Sequence, residues 1–209
     1  MLFSKADAPY LTSNGDVQSM MLKVVYALVP GSIAMFWFFG WGVLFNLLIA
    51  ISVCLSLEAV ILKMRQRDVP SALNDGSALL TACLLALALP PLAPWWLTVI
   101  ASFFAIAVAK HLDGGLGFNP FNPAMVGYIV VMISFPLEMT QFNSPQPLFS
   151  ASAPGFMESL NITFGAGVAQ LDAVSSATTL GHLKTELGRG SDLQQAASGS
   201  DSLWSLIWG

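Results

Sequence analysis

The segment 172–180 reads Asp-Ala-Val-Ser-Ser-Ala-Thr-Thr-Leu and concentrates hydroxyl groups among small side chains. A threonine hydroxyl can form a phosphoester, and small neighbours leave room for a bulky phosphate-bearing group and for the enzyme that attaches it. Thr178 is the candidate acceptor. The plainer interpretation is a turn that caps a following helix over 180–187, because serine and threonine are good helix caps. The residues that define the motif with Thr178 are Asp172, Ser175, Ser176 and Ala177.

Two Asn-Pro pairs follow a glycine-rich stretch in the sequence Gly114-Gly-Leu-Gly-Phe-Asn-Pro-Phe-Asn-Pro123. Proline lacks a donor and biases the preceding residue away from helix, so Asn119 and Asn122 are predicted to be extended, with amide side chains that can bond backbone or a ligand. This pattern fits either a turn that starts a helix or a broken-helix element that lines a cofactor or ion path. The GxGxxG pattern of a dinucleotide site is absent.

Glu58 is an acid near the end of a long apolar run. Intramembrane acids are often functional, so Glu58 is a candidate ion-coupling carboxylate; alternatively it snorkels to the surface or pairs with Lys63. Downstream, the segment 74–77 (Asn-Asp-Gly-Ser) is predicted to cap the helix that follows it.

The remaining metal-binding side chains indicate no metal or redox centre. His111 and His182 have no second ligand at metal spacing. Cys54 and Cys83 each lie in an apolar run without a CxxC pattern, so they are predicted to pack as small hydrophobic groups.

Composition indicates a membrane protein, with lipids as partners. Hydrophobic residues make up 55% of the chain, charged residues only 10%, and the mean hydropathy is +0.69. Soluble domains are typically about 25% charged. The net charge of −4 and the scattered lysines and arginines exclude an electrostatic nucleic-acid binder.

The charge-free windows define two helical hairpins. The 34 residues between Lys23 and Glu58 carry no charge, and as one helix they would span roughly 51 Å against a hydrocarbon core of ~30 Å. We therefore predict helices over 24–39 and 43–62 with a reversal at Gly40-Trp41-Gly42. A second window of the same length, between Asp75 and Lys110, is broken by prolines and tryptophans over 90–96, which predicts a second hairpin whose turn lies at a membrane interface.

A fifth apolar run covers 124–135. The predicted fold class is therefore an all-α, polytopic transmembrane helix bundle with broken-helix loops and one long extramembrane loop. Six of the eight basic residues fall on one side of five alternating spans, which places that side in the cytoplasm. The predicted division is a cytoplasmic segment (1–23), about five transmembrane helices (24–137), a periplasmic loop (138–201) and the start of a further apolar segment (202–209) that suggests a truncated chain.

Several motifs occur together and in the order seen in RnfD proteins, which are membrane components of the Rnf ion-translocating electron transport complex. Nearly the whole chain resembles these proteins. RnfD proteins are related to NqrB of the sodium-pumping NADH:quinone oxidoreductase. The most distinctive motif is the Asn-Pro loop. The motifs are Pro30-Gly31, Trp37-Phe-Phe-Gly-Trp-Gly42, Ser77-Ala-Leu-Leu-Thr81, Leu89-Pro-Pro-Leu-Ala-Pro-Trp-Trp96, Gly114-Gly-Leu-Gly117, Asn119-Pro-Phe-Asn-Pro-Ala-Met125 and Ile133-Ser-Phe-Pro136.

The resemblance implies that Thr178 carries covalent FMN. The family's attachment pattern is an upstream acid followed by Ser-Gly-Ala-Thr, with the threonine esterified to the FMN phosphate. Asp172, Ser175, Ala177 and Thr178 match this pattern, whereas Ser176 replaces the usual glycine. Related proteins are also associated with a noncovalent riboflavin, whose contacts the sequence does not place.

The resemblance further implies a membrane component of an inner-membrane complex that relays electrons between reduced ferredoxin and NAD, coupled to sodium or proton transport. The implied partners are the other Rnf proteins, including the FMN-bearing RnfG, and a flavin transferase during maturation. The coupling ion and the direction of electron flow stay open. Two alternatives remain: a channel or solute transporter without a redox group, and an assembly protein that keeps the fold without flavin.

Overall fold

The computed structural model describes residues 14–112, 114, 115, 117–143, 154–165, 184, 188 and 189. Every regular element in these ranges is helical and none is a strand, as the all-α prediction requires. The elements are α1 (Asn14–Phe39), α2 (Trp41–Met64), α3 (Val69–Leu73), α4 (Ser77–Ala88), α5 (Trp95–Phe103) with a π-helical continuation (Phe104–Lys110), α6 (Pro123–Ser134), α7 (Pro136–Thr140) and α8 (Phe156–Phe164).

The predicted hairpin of α1 and α2 is confirmed, and its reversal occurs at Gly40. The backbone there adopts φ 78° and ψ −155°, a conformation that glycine reaches without strain. The Gly40 N–H still donates to the Phe36 carbonyl at 2.9 Å, which closes the last turn of α1. At the other end of the hairpin, Met21 and Leu22 lie beside Gly76, so α1 runs antiparallel to α2.

Helix α1 begins ten residues before the predicted start at Val24. A lysine at position 23 ends the apolar window but does not end a helix, because the backbone hydrogen bonds continue through charged residues. The bounds of α2 differ from the prediction by only two residues at each end.

Helices α4 and α5 form the second predicted hairpin. Leu89 ends α4 in an extended conformation, and Pro94 precedes the first turn of α5. The intervening turn, residues 89–94, is buried: Asn46 of α2 contacts Pro90 and Pro91, and Ile162 of α8 packs against Leu92. Irregular backbone at this position is therefore shielded by protein.

Two helices that the sequence did not predict, α7 and α8, lie beyond residue 135. Helix α8 places Ser159, Ile162 and Thr163 on one buried face through spacings of three and four residues. This short pattern lies in a polar stretch that contains no long charge-free window, so the criterion that predicted the other helices does not detect it.

Small side chains allow the helices to pack closely, as is common in membrane helix bundles. Ala50 and Cys54 of α2 pack against the alanines of α4 at 78, 82 and 86. At Gly127 of α6, an added Cβ would lie 2.4 Å from the Ala101 carbonyl oxygen, so α6 and α5 are in direct backbone contact. Both cysteines are free and buried, which confirms their predicted packing role.

Within the described ranges, two helices are long and apolar enough to cross a membrane: residues Val17–Phe39 of α1, and α2. The helices Ser77–Ala88, Trp95–Lys110 and Pro123–Ser134 are apolar but shorter. The 18-residue apolar window of α1 has no buried residue, so large side chains such as Tyr26, Ile33 and Trp37 face outward. An apolar surface of this extent fits contact with lipid or with another protein of a complex.

Candidate functional site

The predicted attachment segment, Asp172 to Thr178, lies outside the described residues, as do His182, Asp113 and residues 202–209. Thr178 therefore stays a prediction. The part of the chain that the structure describes contains a different site with unusual chemistry, at the end of the bundle where α2 ends, α4 begins and the π-helical segment ends. We call this region the charged end, defined by Glu58, Ser77 and Lys110.

Three helices each contribute one side chain to the charged end. Lys110 Nζ donates to Glu58 Oε1 at 2.5 Å, to Glu58 Oε2 at 2.6 Å and to Ser77 Oγ at 2.6 Å. Glu58 and Lys110 are each only 2% exposed. A buried ammonium group thus has three oxygen acceptors, and both carboxylate oxygens have a donor.

The predicted pairing of Glu58 with Lys63 is wrong. Glu58 lies on the face of α2 that points into the bundle. The residues of this face recur every four positions, and the others are Asn46, Ala50, Cys54 and Leu62. Lys63 is five residues further on, about 140° around the helix at 100° per residue, and it is exposed. The partner comes from the π-helical segment instead.

Asp75 orients the serine at the charged end. Its Oδ1 accepts from the Ser77 N–H at 2.7 Å and from Ser77 Oγ at 2.5 Å. The 74–77 segment does precede the first turn of α4, but the N-cap residue is Gly76, in the left-handed conformation at φ 75° and without a side-chain cap; Asp75 instead accepts from the N–H of Ser77, the first helical residue. Since the Ser77 hydroxyl hydrogen points to Asp75, the oxygen lone pairs are free to accept from Lys110.

His111, the first residue past the π-helical segment, lies beside this pair. Its Nε2 is 3.8 Å from Glu58 Oε1, is buried and has no hydrogen-bond partner among the residues that the structure describes. Burial, reinforced by the positive charges of Lys110, Arg65 and Arg67, lowers the pKa of His111 to about 4. The imidazole is therefore neutral at physiological pH, and Lys110 supplies the positive charge next to Glu58.

A cavity of about 600 Å³ connects the buried pair with the surface. Glu58, Lys110 and His111 form its buried wall, whereas Arg67 and Asp68 are exposed at its rim. Arg67 Nη1 donates to the Gly114 carbonyl at 3.3 Å and so holds the glycine-rich loop at this opening. Polar side chains, among them Asn74 and Asp75, line part of this cavity, through which water or an ion can reach the carboxylate.

The opposite end of α2 has a polar contact of another kind. Asn46 Nδ2 donates to the carbonyl oxygens of Pro90 at 2.7 Å and Pro91 at 3.2 Å, and Thr98 Oγ1 donates to Asn46 Oδ1 at 3.2 Å. Gly42 lies so close that an added Cβ would be 2.2 Å from the Pro91 oxygen. We call this region the turn end, defined by Gly42, Asn46 and Pro90.

The Asn-Pro loop starts a helix. Asn122 Oδ1 accepts from the Ala124 N–H at 3.0 Å and Pro123 occupies the first turn of α6, as the plainer prediction states. Asn119 Nδ2 donates to the Phe121 carbonyl at 2.8 Å. Phe118 from the same loop lines the cavity at the charged end, so the loop lies next to the site as well as ahead of α6.

Asn46 and Lys110 are site residues that the sequence did not indicate. Asn46 is the one strongly polar side chain in the apolar window of α2, and this isolation was the available signal. Lys110 stood out only as a charge that ends an apolar run. Its helical segment is π-helical, with the His111 N–H donating to the Ile106 carbonyl at 3.1 Å, and such segments are rare and frequent at functional sites.

The chemistry available at the charged end is the binding or exchange of a small cation or proton at a carboxylate. Among residues 14–112 and the other described ranges, no group of three or more His, Cys, Asp and Glu side chains is arranged to hold a metal ion. A carboxylate that is buried, paired and reached by a polar cavity is a functional candidate in a membrane protein.

Comparisons with known proteins agree with the motif-based resemblance. Residues 4–209 match the model of the NQR2, RnfD, RnfE family. The chain is 42% identical over 205 residues to the D-type component of the ion-translocating oxidoreductase complex of Escherichia coli (strain K12 / DH10B) and 43% identical to that of Escherichia fergusonii. These alignments cover 93% of this chain and 58% of each relative, so the chain spans little more than half the length of these relatives.

Proposed function

Since the chain belongs to the NQR2, RnfD and RnfE family, we propose that it is a membrane component of an ion-translocating oxidoreductase complex and that it carries FMN on Thr178. The observation that carries this proposal is the identity of 42–43%, over 93% of the chain, to proteins named as the D-type component of such a complex. The hydroxyl of Thr178, with its small neighbours, supplies the chemistry that a phosphoester link requires.

Bound FMN supplies one- and two-electron redox chemistry, and the role of this chain is to hold it in place. The complex relays electrons between reduced ferredoxin and NAD, and the partners of this chain are the other Rnf proteins, including the FMN-bearing RnfG. A flavin transferase forms the link to Thr178 during maturation. A noncovalent riboflavin is a further proposed cofactor of the assembly.

The chain is proposed to cross the bacterial inner membrane several times with its N-terminus in the cytoplasm. Two helices have the required length, and three shorter apolar helices pack with them. Lys63, Arg65 and Arg67 follow α2, so the positive-inside tendency places the charged end in the cytoplasm. The turn end, α8 and the segment with Thr178 then lie on the periplasmic side.

The charged end supports the ion-transport part of the proposal. A buried Glu58 that faces a cavity can exchange its Lys110 partner for a transported ion, either sodium or a proton. The cavity opens next to Arg67 and Asp68, at the end proposed to be cytoplasmic. The same cavity also fits a channel or transporter without a redox group, but that alternative does not account for the similarity to oxidoreductase components.

The flavin attachment is tested on the complex purified from cells that also express the flavin transferase. We expect fluorescence of the denatured chain in a gel and an intact mass that includes one FMN. Thr178→Val removes both signals. Thr179→Val is the matched control, because it deletes the neighbouring hydroxyl and leaves both signals unchanged.

Ser176→Gly sharpens this test, because it restores the glycine of the family pattern. The transferase should modify this variant at least as completely as the wild type. A wild-type chain without an FMN increment would contradict the proposal and favour a transporter or an assembly protein without flavin.

A further inference from the structure

We propose that α8 is an interfacial helix that lies in the lipid headgroup layer of the bilayer, next to the turn end, and tethers the following segment to the membrane surface. The placement of α8 rests on its own contacts. Only the consequence for Thr178 rests on the proposed function.

One edge of α8 packs against protein. Ser159, Ile162 and Thr163 are buried there, and the Ser159 hydroxyl donates to the Pro154 carbonyl at 3.2 Å. Ile162 meets Leu92 of the proline-rich turn, so α8 covers the irregular backbone between α4 and α5. The helix is thereby fixed to the end of the bundle.

A second edge of α8 is apolar and faces outward. Met157 is 65% exposed and Phe164 is 50% exposed, and at 100° per residue they lie about 20° apart on the helix. Phe156, also half exposed, lies between this edge and the buried edge. Contact of these large apolar side chains with water is unfavourable, so the edge is better accommodated in an apolar environment.

The third edge of α8 is polar. Glu158 and Asn161 are exposed and lie between the apolar edge and the buried edge, on the side away from Phe156. A helix with one edge on protein, one apolar edge and one polar edge fits the boundary between lipid and water. Deep insertion would bury the Glu158 carboxylate in hydrocarbon, and full exposure to water would leave Met157 and Phe164 uncovered.

The neighbouring aromatic side chains indicate that lipid covers the outward apolar edge of α8. Trp41 stands between α1 and α8, with its ring 5.3 Å from Phe36 and 5.2 Å from Phe156. Trp37, 61% exposed, lies within one turn of the end of α1. Aromatic residues at the ends of membrane-spanning helices mark the headgroup level, and α1 and α2 both have the required length. The outward edge of α8 is continuous with this aromatic surface.

This placement limits how far the proposed flavin site can be from the membrane. Thr178 follows Phe164 by fourteen positions in the sequence. A fully extended chain of that length reaches at most ~50 Å. A helix anchored at the interface therefore keeps the acceptor hydroxyl within that distance of the membrane surface.

The test uses nitroxide spin labels on the assembled complex in nanodiscs of phosphatidylethanolamine and phosphatidylglycerol. Single cysteines replace Met157, Phe164, Glu158 or Asn161, all at exposed positions; of these, Phe164 also contacts the Phe45 ring, so the label at 157 reports on the same edge without removing that contact. The native Cys54 and Cys83 are buried, and wild type treated with the same label controls for their reaction. Power saturation with oxygen and with a water-soluble nickel complex reports whether each label faces lipid or water.

We expect labels at 157 and 164 to collide more with oxygen, and labels at 158 and 161 to collide more with the nickel complex. Four labels equally open to the nickel complex would place α8 in water and overturn the proposal. Labels at 157 and 164 shielded from both reagents would show that a protein covers this edge, which also overturns it. The intact mass of each labelled chain reports FMN separately, so failure of the interfacial placement is distinguishable from failure of the flavin attachment.

Discussion

The charged end and the turn end lie on the same face of α2, and they differ in what their buried polar groups achieve. Asn46 and Glu58 are twelve residues apart, a distance of about 18 Å along the helix. At the turn end, a neutral amide donates to the carbonyls of Pro90 and Pro91, and the Pro90 carbonyl also accepts from the Ala93 N–H. At the charged end, the Glu58–Lys110 ion pair lies under a cavity, next to an imidazole nitrogen that has no partner in the described part of the chain.

This difference distinguishes the turn end, whose polar contact is structural, from the charged end, which is a candidate functional site. A satisfied neutral hydrogen bond stabilises a turn without needing access to solvent. A buried ion pair is weak evidence for stability, because desolvation of the two charges offsets much of their attraction. The presence of such a pair beside a cavity is better explained by ion exchange than by stability alone.

The largest expected effect is at the charged end. Lys110→Met leaves the Glu58 carboxylate buried without its counter-charge and should lower the free energy of unfolding by about 3–5 kcal/mol. Adding Glu58→Gln removes the unpaired charge and should restore much of that loss. Denaturation of the detergent-solubilised chain measures both, with exposed Lys63→Met as the control. A double variant as unstable as Lys110→Met would contradict the pairing.

The turn end should respond in stability and not in transport. Asn46→Leu leaves the buried Pro91 carbonyl without the Asn46 donor, whereas the Pro90 carbonyl keeps the Ala93 N–H, and the change should cost about 1–3 kcal/mol. Ion uptake by proteoliposomes that contain the folded complex should be retained in this variant and lost in Glu58→Gln. Loss of uptake in a stable Asn46→Leu complex would show that the two ends do not have separate roles.

Gly42→Ala should lower stability by about 1–3 kcal/mol, because the new Cβ would collide with the Pro91 carbonyl oxygen. Gly31→Ala is the matched control in α1, where nothing lies within 4 Å of an added Cβ. There the helix should be unchanged or slightly stabilised. Thermal unfolding of the two variants under the same conditions compares them, and an equal loss in both would argue against the close contact at the turn end.

A pH-dependent effect is expected at His111. Because the pKa of His111 falls from 6.5 to about 4 on folding, the unfolded chain binds a proton that the folded protein does not. The contribution of the neutral His111 to the free energy of unfolding is therefore complete above pH 6.5 and is lost as the pH falls toward 4. His111→Gln should flatten this part of the stability profile. An identical profile in both proteins would exclude His111 as its source.

The hairpins were predictable from the sequence because a charge-free window and a proline-rich turn can each be recognised within a short stretch of residues. The reversal at Gly40 and the cap at Asn122 follow from the backbone preferences of single residues. The partner of Glu58 was not predictable, because Lys110 lies 52 positions away and meets it only through the packing of α2 against the π-helical segment. Helix α8 was not predictable either, because nine residues in a polar stretch give a weak periodic signal.

The flavin proposed for this chain is joined through a phosphoester to Thr178. Fragmentation mass spectrometry of a proteolytic peptide spanning 172–180, prepared from the native complex, tests it most directly. We expect FMN on the hydroxyl of Thr178 and none on Thr179, Ser175 or Ser176. An unmodified peptide from a complex that retains its other flavins would contradict the claim.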